Sequence, residues 1–228
     1  MTTAVVLRRI AKDGEVQISA GSLLLNGELK IPENANGIVL FAHGGGSSRH
    51  SPRNQYVADV IRNAGVGTLL FDLLTPQEEE IDNYTREFRF DINLLARRLV
   101  AATNWLATQS ETSQLRPGYF GASTGGGAAL VAAAQMGGKI GAVVSRGGRP
   151  ELAGAALRYV KAPTLLIVGG FDRPVIQMNE DAYAKLRCVK ELKLVPGATH
   201  LFEEPGKLEE VANLAASWFL KYLQADKE

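Results

Sequence analysis

The amino-acid sequence predicts an α/β fold, in which a mostly parallel central sheet carries helices on both faces. Short, uninterrupted apolar runs such as 37–42 (GIVLFA) and 164–168 (TLLIV) are typical of strands buried on both faces of a parallel sheet. Segments with helical spacing alternate with these runs, and two hairpin-like strands precede them. With 228 residues, 46% of them apolar and 21% charged, the chain is long enough for one well-buried core.

The predicted strands follow one another at short intervals. The first two, at 5–10 and 16–30, are punctuated by Asp13-Gly14 and Asn26-Gly27, and both dipeptides are typical of hairpin turns. The later strands are continuous apolar runs, which we expect at residues 37–42, 66–72, 118–122, 140–145, 164–168 and 191–195.

Helices are predicted between these strands. The longest predicted helix, residues 86–108, carries apolar residues at helical spacing, namely Phe90, Leu94, Leu95, Leu99 and Trp105. Residues 125–136 form a predicted helix of small residues that opens with a run of glycines. The remaining helices are expected at residues 52–64, 151–159, 176–186 and 205–223.

Charge, cysteine content and hydropathy narrow the class of protein. The formal net charge of +1 gives no reason to expect nucleic acid as the main partner. The single cysteine, Cys188, cannot form an intramolecular disulfide, which fits a cytoplasmic protein. No apolar stretch reaches the length of a membrane span, and Arg8 and Arg9 interrupt the N-terminal segment too early for a signal peptide. We expect one cytoplasmic domain over residues 1–228, without a membrane partner and of undetermined oligomeric state.

A candidate nucleophile lies in the pentapeptide Gly121-Ala122-Ser123-Thr124-Gly125, which matches the pattern G-x-S-x-G. The pattern alone is weak, because a serine before a helix is often only an N-cap. Its position between a predicted strand and a predicted helix makes it more specific. A serine on such a tight turn needs small neighbours, and the helix that follows directs its N-terminal amides toward developing negative charge.

A serine hydroxyl needs a base, and His200 and Asp172 are the candidates to complete a triad. His200 follows the last predicted strand, and Asp172 follows the strand TLLIV. Sites in open α/β sheets form at the carboxyl ends of the strands, and the chain order Ser123, Asp172, His200 is the one expected for a G-x-S-x-G hydrolase. The alternatives are a capping role for Asp172 and a surface-loop position for His200.

The glycines after the strand GIVLFA are candidates for an oxyanion hole. Beyond the Thr124 N–H, a second backbone donor is needed, and we favour Gly45 N–H, with Gly44 next. We expect His43 to be structural and to hold this loop through its ring nitrogens.

The chain resembles the dienelactone hydrolase-like branch of the α/β-hydrolase superfamily. The resemblance rests on separated stretches at 43–54 (HGGGSSRHSPRN), 118–126 (GYFGASTGG), 143–150 (VVSRGGRP), 165–175 (LLIVGGFDRPV) and 195–206 (VPGATHLFEEPG). It implies the triad Ser123, Asp172 and His200 and the hydrolysis of carboxylic esters. Dienelactone hydrolases proper use a cysteine nucleophile, so the serine here favours a general esterase over a lactonase.

The resemblance also implies where a lid would be inserted and which side chains bind substrate. Only residues 146–163 separate the two strands between which such lids are inserted, so we expect no cap domain. Arg146 and Arg49 lie at the predicted site edge and are candidates for binding a negatively charged group, a structural role being the alternative. The glycine run Gly125–Gly127 fits either close helix–sheet packing or a remodelled oxyanion region.

Two other functions remain open at this point. The fold could be retained as a catalytically silent binding module, because fold does not guarantee activity. A dinucleotide-binding protein is less favoured, because a G-x-G-x-x-G beginning at Gly44 has Arg49 where its last glycine belongs. The proposed chemistry needs no cofactor, and the sequence has no metal-ligand pattern. A small-molecule ester is the expected partner.

Overall fold

A computed structural model describes residues 10–224 and contains one eight-stranded sheet. The strands are β1 (Ile10–Ala20), β2 (Leu23–Pro32), β3 (Gly37–Ala42), β4 (Gly67–Phe71), β5 (Arg116–Ala122), β6 (Ala142–Arg146), β7 (Thr164–Gly169) and β8 (Lys190–Val195). Their order across the sheet is β1-β2-β4-β3-β5-β6-β7-β8. The β1–β2 and β2–β4 pairs are antiparallel and the others are parallel, so the predicted mostly parallel sheet is confirmed.

Helices cover both faces of this sheet. They are α1 (Pro52–Asn63), α2 (Pro76–Thr85), α3 (Ile92–Leu106), α4 (Thr124–Met136), α5 (Arg173–Lys185) and α6 (Lys207–Leu223). Alternate residues of the strands face opposite sides, so Val39 and Phe41 of β3 pack toward α1 and α6, while Leu40 packs toward α3 and α4. Within residues 10–224, no helix combines the length and the apolar character that a bilayer span needs.

The N-terminal hairpin turns at a different place from the one predicted. Its loop is Gly21-Ser22, with Gly21 at φ 69°, whereas Gly14 and Gly27 lie inside paired strands. Gly27 is enclosed there, because a Cβ on it would lie 3.0 Å from Ile18 Cδ1. The predicted strand 16–30 is therefore split between β1 and β2, and of the predicted strand 5–10 all but residue 10 lies outside the described residues.

The predicted helix 86–108 is also wrong at its start. The helix there, α3, begins only at Ile92, where the Asp91 carboxylate caps it by accepting a hydrogen bond from Leu94 N–H at 2.9 Å. Residues 76–85 form the separate helix α2, and Phe88–Phe90 form one short 3-10 turn between the two. Apart from the segment 151–159, the remaining predicted strands and helices agree with the structure to within a few residues.

The connection between β6 and β7 is short and lies against α4 and α5. It contains a 3-10 helical segment, Pro150–Tyr159, in place of the predicted α-helix over 151–159. Gly154, at φ 52°, kinks this segment near its middle, which interrupts any regular helical ladder. The connection between β6 and β7 is therefore one short packed segment, with no separate cap domain inserted there.

Candidate active site

Ser123 lies on a strained turn between β5 and α4. Its backbone adopts φ 51° and ψ −122°, a conformation that residues other than glycine rarely take. Three hydrogen bonds fix it: the Ser123 N–H donates to the Arg146 carbonyl at 3.3 Å, and its carbonyl accepts from the N–H groups of Gly126 and Arg149, each at 3.0 Å. The side chain makes no capping hydrogen bond to α4, so the N-cap alternative does not hold.

The glycines around Ser123 are required by close backbone packing. A Cβ on Gly125 would lie 2.1 Å from the Ala42 carbonyl oxygen, and one on Gly121 would lie 2.4 Å from the Gly125 carbonyl oxygen. At Gly126 and Gly127 the nearest oxygens would be 2.5 Å and 2.8 Å away. Close packing of α4 against the sheet and the β6–β7 connection thus explains the glycine run.

His200 and Asp172 form a hydrogen-bonded pair at the same edge of the sheet. His200 Nδ1 lies 2.6 Å from Asp172 Oδ2, and the carboxylate is mostly buried whereas the imidazole is partly exposed. Asp172 occupies the N-cap position of α5 without a side-chain capping bond, so its carboxylate serves the histidine instead. Since the Nδ1–H donates to the carboxylate, Nε2 is left as the hydrogen-bond acceptor.

Ser123 and His200 line one open cleft of about 660 Å³, which also contains Arg53, Asn54 and Arg146. The structure therefore brings the three predicted triad residues to one edge, after β5, β7 and β8. Their catalytic roles remain a prediction at this point.

His43 holds the glycine loop that follows β3. It is buried, its Nδ1–H donates to the Gly44 carbonyl at 3.0 Å, and its Nε2 accepts a hydrogen bond from Leu73 N–H at 3.1 Å. Burial lowers the pKa of His43, which keeps the ring neutral and able to accept that bond. These contacts are those of the structural residue expected from the sequence.

Two backbone amides flank Ser123 without a hydrogen-bond partner among the described residues, those of Gly44 and Thr124. Gly44 lies directly against the serine, because a Cβ on it would be 3.2 Å from Ser123 Cβ. Gly45, the donor favoured from the sequence, instead directs its N–H to Thr124 Oγ1 at 3.0 Å. Gly44 is thus better placed than Gly45 to donate to a group bound at Ser123.

The two arginines predicted to bind substrate have different surroundings. Arg146 is only 7% exposed, lines the cleft, and donates from Nη2 to Asn54 Oδ1 at 3.2 Å. Arg49 is not among the residues lining the cleft; its backbone N–H and its guanidinium both bind Asp72. The geometry thus gives the predicted role of Arg49 in substrate binding no support, and that role stays a prediction.

Sequence reasoning missed two parts of this site. Asn54 is a buried polar residue of α1, and the available signal was its helical spacing with the buried Val57, Ala58 and Ile61. The second part is a small pocket of about 410 Å³ on the far side of the glycine loop, whose apolar lining residues are Leu73, Leu74 and Leu95.

The far pocket is bounded by a buried ion pair. Arg89 lies against Gly45 and Gly46, and its Nε donates to Asp82 Oδ2 at 2.5 Å. Burial by itself would raise the pKa of Asp82, but hydrogen bonds from the Arg89 backbone and guanidinium outweigh it, so this pKa is lowered.

Comparison with known proteins is consistent with this geometry. The dienelactone hydrolase family model matches residues 25–225. A crystal structure of dienelactone hydrolase from Anabaena variabilis ATCC 29413 is 62% identical, with a TM-score of 0.92, and the match covers 93% of this chain and 99% of that one. Est1E from Butyrivibrio proteoclasticus, 16% identical over 91% of this chain and 98% of its own, shares the fold with a TM-score of 0.75.

Two proteins from Mycobacterium tuberculosis strains, CDC 1551 / Oshkosh and H37Rv, are 59% identical over 212 residues. They carry a provisional phosphoribosyl transferase name. The match covers 93% of this chain but 47% of theirs, so the chain spans about half the length of these curated relatives. The family model and the 62% identity together show that the chain belongs to the dienelactone hydrolase family, with an α/β-hydrolase fold.

Proposed function

We propose that the protein hydrolyses small carboxylic esters through an acyl-enzyme intermediate on Ser123. Membership of the dienelactone hydrolase family supports a hydrolase. The observation that carries the finer proposal is one arrangement: a strained Ser123 shares a cleft with His200, whose Nδ1 is bound by Asp172. Acyl transfer of this kind uses a serine nucleophile, a histidine base and a carboxylate that orients the histidine, and the three residues are proposed for these roles.

In the proposed reaction, His200 Nε2 takes the proton of Ser123 as Oγ attacks the ester carbonyl carbon. The Asp172 carboxylate holds the imidazole in the required tautomer and stabilises the imidazolium that forms. His200 then gives the proton to the leaving alcohol as the acyl-enzyme forms. His200 then deprotonates a water molecule, which attacks the acyl-enzyme carbonyl carbon. As the bond to Ser123 Oγ breaks and the acid is released, His200 returns the proton to Oγ.

The negative charge on the carbonyl oxygen needs fixed donors, and we assign the Gly44 and Thr124 N–H groups. Both lie beside Ser123 and neither has a partner among the residues that the structure describes. Thr124 is the first residue of α4, so the helix dipole adds to its amide. Gly45 contributes indirectly, because its bond to Thr124 Oγ1 ties the glycine loop to the start of α4. Removing one such donor typically lowers kcat about 100-fold to 1,000-fold.

The other functions considered are less well supported. A silent binding module leaves the strain at Ser123 unexplained, since a non-glycine residue in such a conformation costs on the order of 1–3 kcal/mol and is usually retained for function. The transferase name belongs to relatives about twice as long as this chain, and we do not extend it to the hydrolase fold seen here. We place the ester hydrolysis in the cytoplasm, where the single Cys188 would remain reduced.

The test is hydrolysis of 4-nitrophenyl acetate by the wild type, Ser123→Ala and His200→Gln. We expect each variant to lower kcat/KM by about 1,000-fold or more while its circular dichroism stays unchanged. Ser110→Ala, which removes an exposed serine elsewhere, is the matched control and should keep full activity. Wild-type turnover by folded Ser123→Ala would refute the assignment.

A further inference from the structure

Three hydrogen bonds tie Arg89 to Asp82. Asp82 is the one buried residue of α2, and Arg89 belongs to the 3-10 turn Phe88–Phe90. The Asp82 carboxylate accepts hydrogen bonds from the Arg89 backbone N–H at 2.9 Å and from Nε at 2.5 Å. The Asp82 carbonyl accepts a third bond, from Nη2 at 3.1 Å. Asp82 therefore fixes the direction in which the Arg89 side chain extends.

The side chain of Arg89 covers the glycine loop, residues 44–46. A Cβ added to Gly45 would lie 3.1, 3.3 and 3.2 Å from Cβ, Cγ and Cδ of Arg89, so the aliphatic stem packs on the Gly45 backbone. A Cβ added to Gly46, at φ 72°, would lie 3.0 Å from Arg89 Nη1. Arg89 is not among the residues that line the cleft of Ser123, so its contact with the site is through the glycine loop.

The other side of the glycine loop contacts Ser123 and the start of α4. Gly45 donates its N–H to Thr124 Oγ1 at 3.0 Å, and a Cβ added to Gly44 would lie 3.2 Å from Ser123 Cβ. The loop is thus held between α4 and Arg89. Three consecutive glycines have no side chains of their own to pack, and their backbone can adopt more conformations than that of other residues. The position of the loop therefore depends on these two neighbours.

We propose that Arg89, held by Asp82, is a positioning residue that keeps the Gly44 N–H oriented toward the oxyanion formed on the substrate carbonyl. This rests on the proposed ester hydrolysis and adds to it a residue outside the cleft. Oxyanion donors are effective because they are already in place when the charge develops. The charge develops only toward the transition state, so loss of this support should lower kcat and leave KM nearly unchanged.

The test compares two esters that differ only in the atom that receives the charge. They are 4-nitrophenyl acetate and O-(4-nitrophenyl) thionoacetate, in which sulfur replaces the carbonyl oxygen. Sulfur accepts hydrogen bonds weakly, so the thiono ester gains less from the oxyanion donors. Each kcat/KM is divided by the rate constant for hydroxide-catalysed hydrolysis of the same ester. The ratio of the two corrected values, oxygen over sulfur, then measures how well the oxyanion donors are placed.

Four variants separate the parts of the proposed support. Arg89→Ala removes the stem, Arg89→Met keeps most of the stem without the guanidinium bonds to Asp82, and Arg89→Lys keeps the stem and a charged donor. Asp82→Asn removes the charge that holds Arg89. Arg97→Ala removes an exposed charge of α3 and is the control.

We expect Arg89→Ala to lower the oxygen-over-sulfur ratio by about tenfold or more, and to lower kcat for 4-nitrophenyl acetate while KM stays within about threefold. Arg89→Met and Asp82→Asn should give intermediate ratios, Arg89→Lys should restore most of the wild-type ratio, and Arg97→Ala should not change it. A loss of folded protein lowers both rates by the same factor and leaves the ratio unchanged. A wild-type ratio in folded Arg89→Ala would therefore overturn the positioning role, with the esterase itself unaffected. If Arg89→Ala does not fold, a wild-type ratio in Arg89→Met and Asp82→Asn would overturn it.

Amide hydrogen exchange, measured by NMR without any substrate, separates this proposal from the proposed function. The Gly45 N–H, which is bonded to Thr124 Oγ1, should exchange about fivefold faster or more in Arg89→Ala than in wild type, because the loop opens more often. In Arg97→Ala it should exchange as in wild type. Faster Gly45 exchange in Arg89→Ala, together with no ester turnover by wild type, would contradict the esterase and support the positioning of the loop by Arg89. Unchanged Gly45 exchange in Arg89→Ala would overturn that positioning, whatever the rates of ester hydrolysis.

Discussion

Gly125 is a residue of the site with almost no room for a side chain. Its missing Cβ would lie 2.1 Å from the Ala42 carbonyl oxygen, a backbone atom that cannot rotate away. We expect Gly125→Ala to lower the free energy of unfolding by about 3 kcal/mol or more, at the upper end for overpacking. Gly138→Ala is the control, because a Cβ there meets nothing within 4 Å, and it should change stability by less than about 0.5 kcal/mol. Urea unfolding measures the free energy of unfolding of both variants and of the wild type. Equal losses of stability in the two variants would contradict this prediction.

The buried His43 makes stability depend on pH. Burial lowers its pKa in the folded state below the ordinary value of 6.5, so the unfolded chain binds a proton that the folded chain does not. Its contribution is therefore fully present above about pH 6.5 and is lost as pH falls toward the lowered folded pKa, by at most about 1.4 kcal/mol per pH unit.

The variant His43→Gln tests this dependence. It should be less stable than wild type at neutral pH, because it cannot keep both ring hydrogen bonds, but its stability should change less between about pH 6.5 and pH 5. Urea unfolding at several pH values measures both curves. Parallel curves for the two proteins would show that His43 does not titrate as described.

The positions of single site residues could be predicted from the sequence where each residue directly follows the end of a strand. Ser123, Asp172 and His200 follow β5, β7 and β8, and apolar runs locate those strands from the sequence. The hydrogen-bond partner of a donor could not be predicted in the same way. That Gly45 donates to Thr124 Oγ1, and that Arg49 is paired with Asp72, depends on side-chain positions across distant loops, which no local pattern encodes.

Among the elements, α2 owes its start to capping. Thr75 Oγ1 accepts from Glu78 N–H at 3.2 Å, while Glu78 Oε2 accepts from Thr75 N–H at 2.8 Å. The other oxygen of Glu78 binds Arg98 of α3 at 2.5 Å. Only Asp82 of α2 is buried, so packing contributes little to the stability of this helix. The N-terminal cap is therefore more important for α2 than for a helix in the core.

Thr75→Ala should therefore loosen α2 without unfolding the protein. A lost N-cap costs about 1 kcal/mol, which corresponds to roughly fivefold faster amide exchange over residues 79–85. Hydrogen–deuterium exchange resolves this segment from α3, whose rates should not change. Thr75→Ser keeps the hydroxyl and should exchange like wild type; equal exchange in Thr75→Ala and wild type would show that the cap does not limit α2.

The sequence analysis missed helix α2 and misplaced the hairpin turn for two different reasons. Helix α2 has one large aliphatic side chain, Ile81, and that side chain is exposed, so apolar periodicity does not reveal the helix, although the pair Thr75 and Glu78 is a capping signal. The N-terminal hairpin likewise offered Asn26-Gly27 as a turn, but pairing Ile18 with Leu25 buries both side chains and sets the register instead.

At the scale of the whole molecule, two cores lie on opposite faces of one sheet. The two tryptophans of the sequence report on them separately. Trp105 on α3 packs against one core, while Trp218 on α6 belongs to the other and donates its Nε1–H to the Pro163 carbonyl at 3.2 Å. Both cores include side chains from the same strands, so we expect them to unfold together.

Single-tryptophan variants test this cooperativity. Trp105→Phe leaves Trp218 as the reporter, and Trp218→Phe leaves Trp105. In each variant, the urea midpoint from tryptophan fluorescence should coincide with the midpoint from circular dichroism of the same protein. A fluorescence transition that precedes the circular dichroism transition in either variant would mean that one face of the sheet opens first.

Parallel pairing and helices on both faces were predictable at this scale, because buried strands read as continuous apolar runs. The strand order was not, since β3 lies between β4 and β5 through contacts that sequence spacing does not specify. The strand order helps to form the site, because it places β5 beside β6, so that Ser123 and Arg146 become neighbours.

The central claim, that Ser123 is the nucleophile of an ester hydrolase, is tested most directly by trapping it. The protein is incubated with a 4-nitrophenyl alkylphosphonate, and intact-mass and peptide mass spectrometry locate the adduct. Phosphonylation needs an activated serine and the oxyanion donors together. The account predicts one adduct per chain, on Ser123, with ester turnover falling in proportion and no adduct on Ser123→Ala. An adduct on another residue that abolishes turnover, or full turnover by a chain phosphonylated at Ser123, would contradict it.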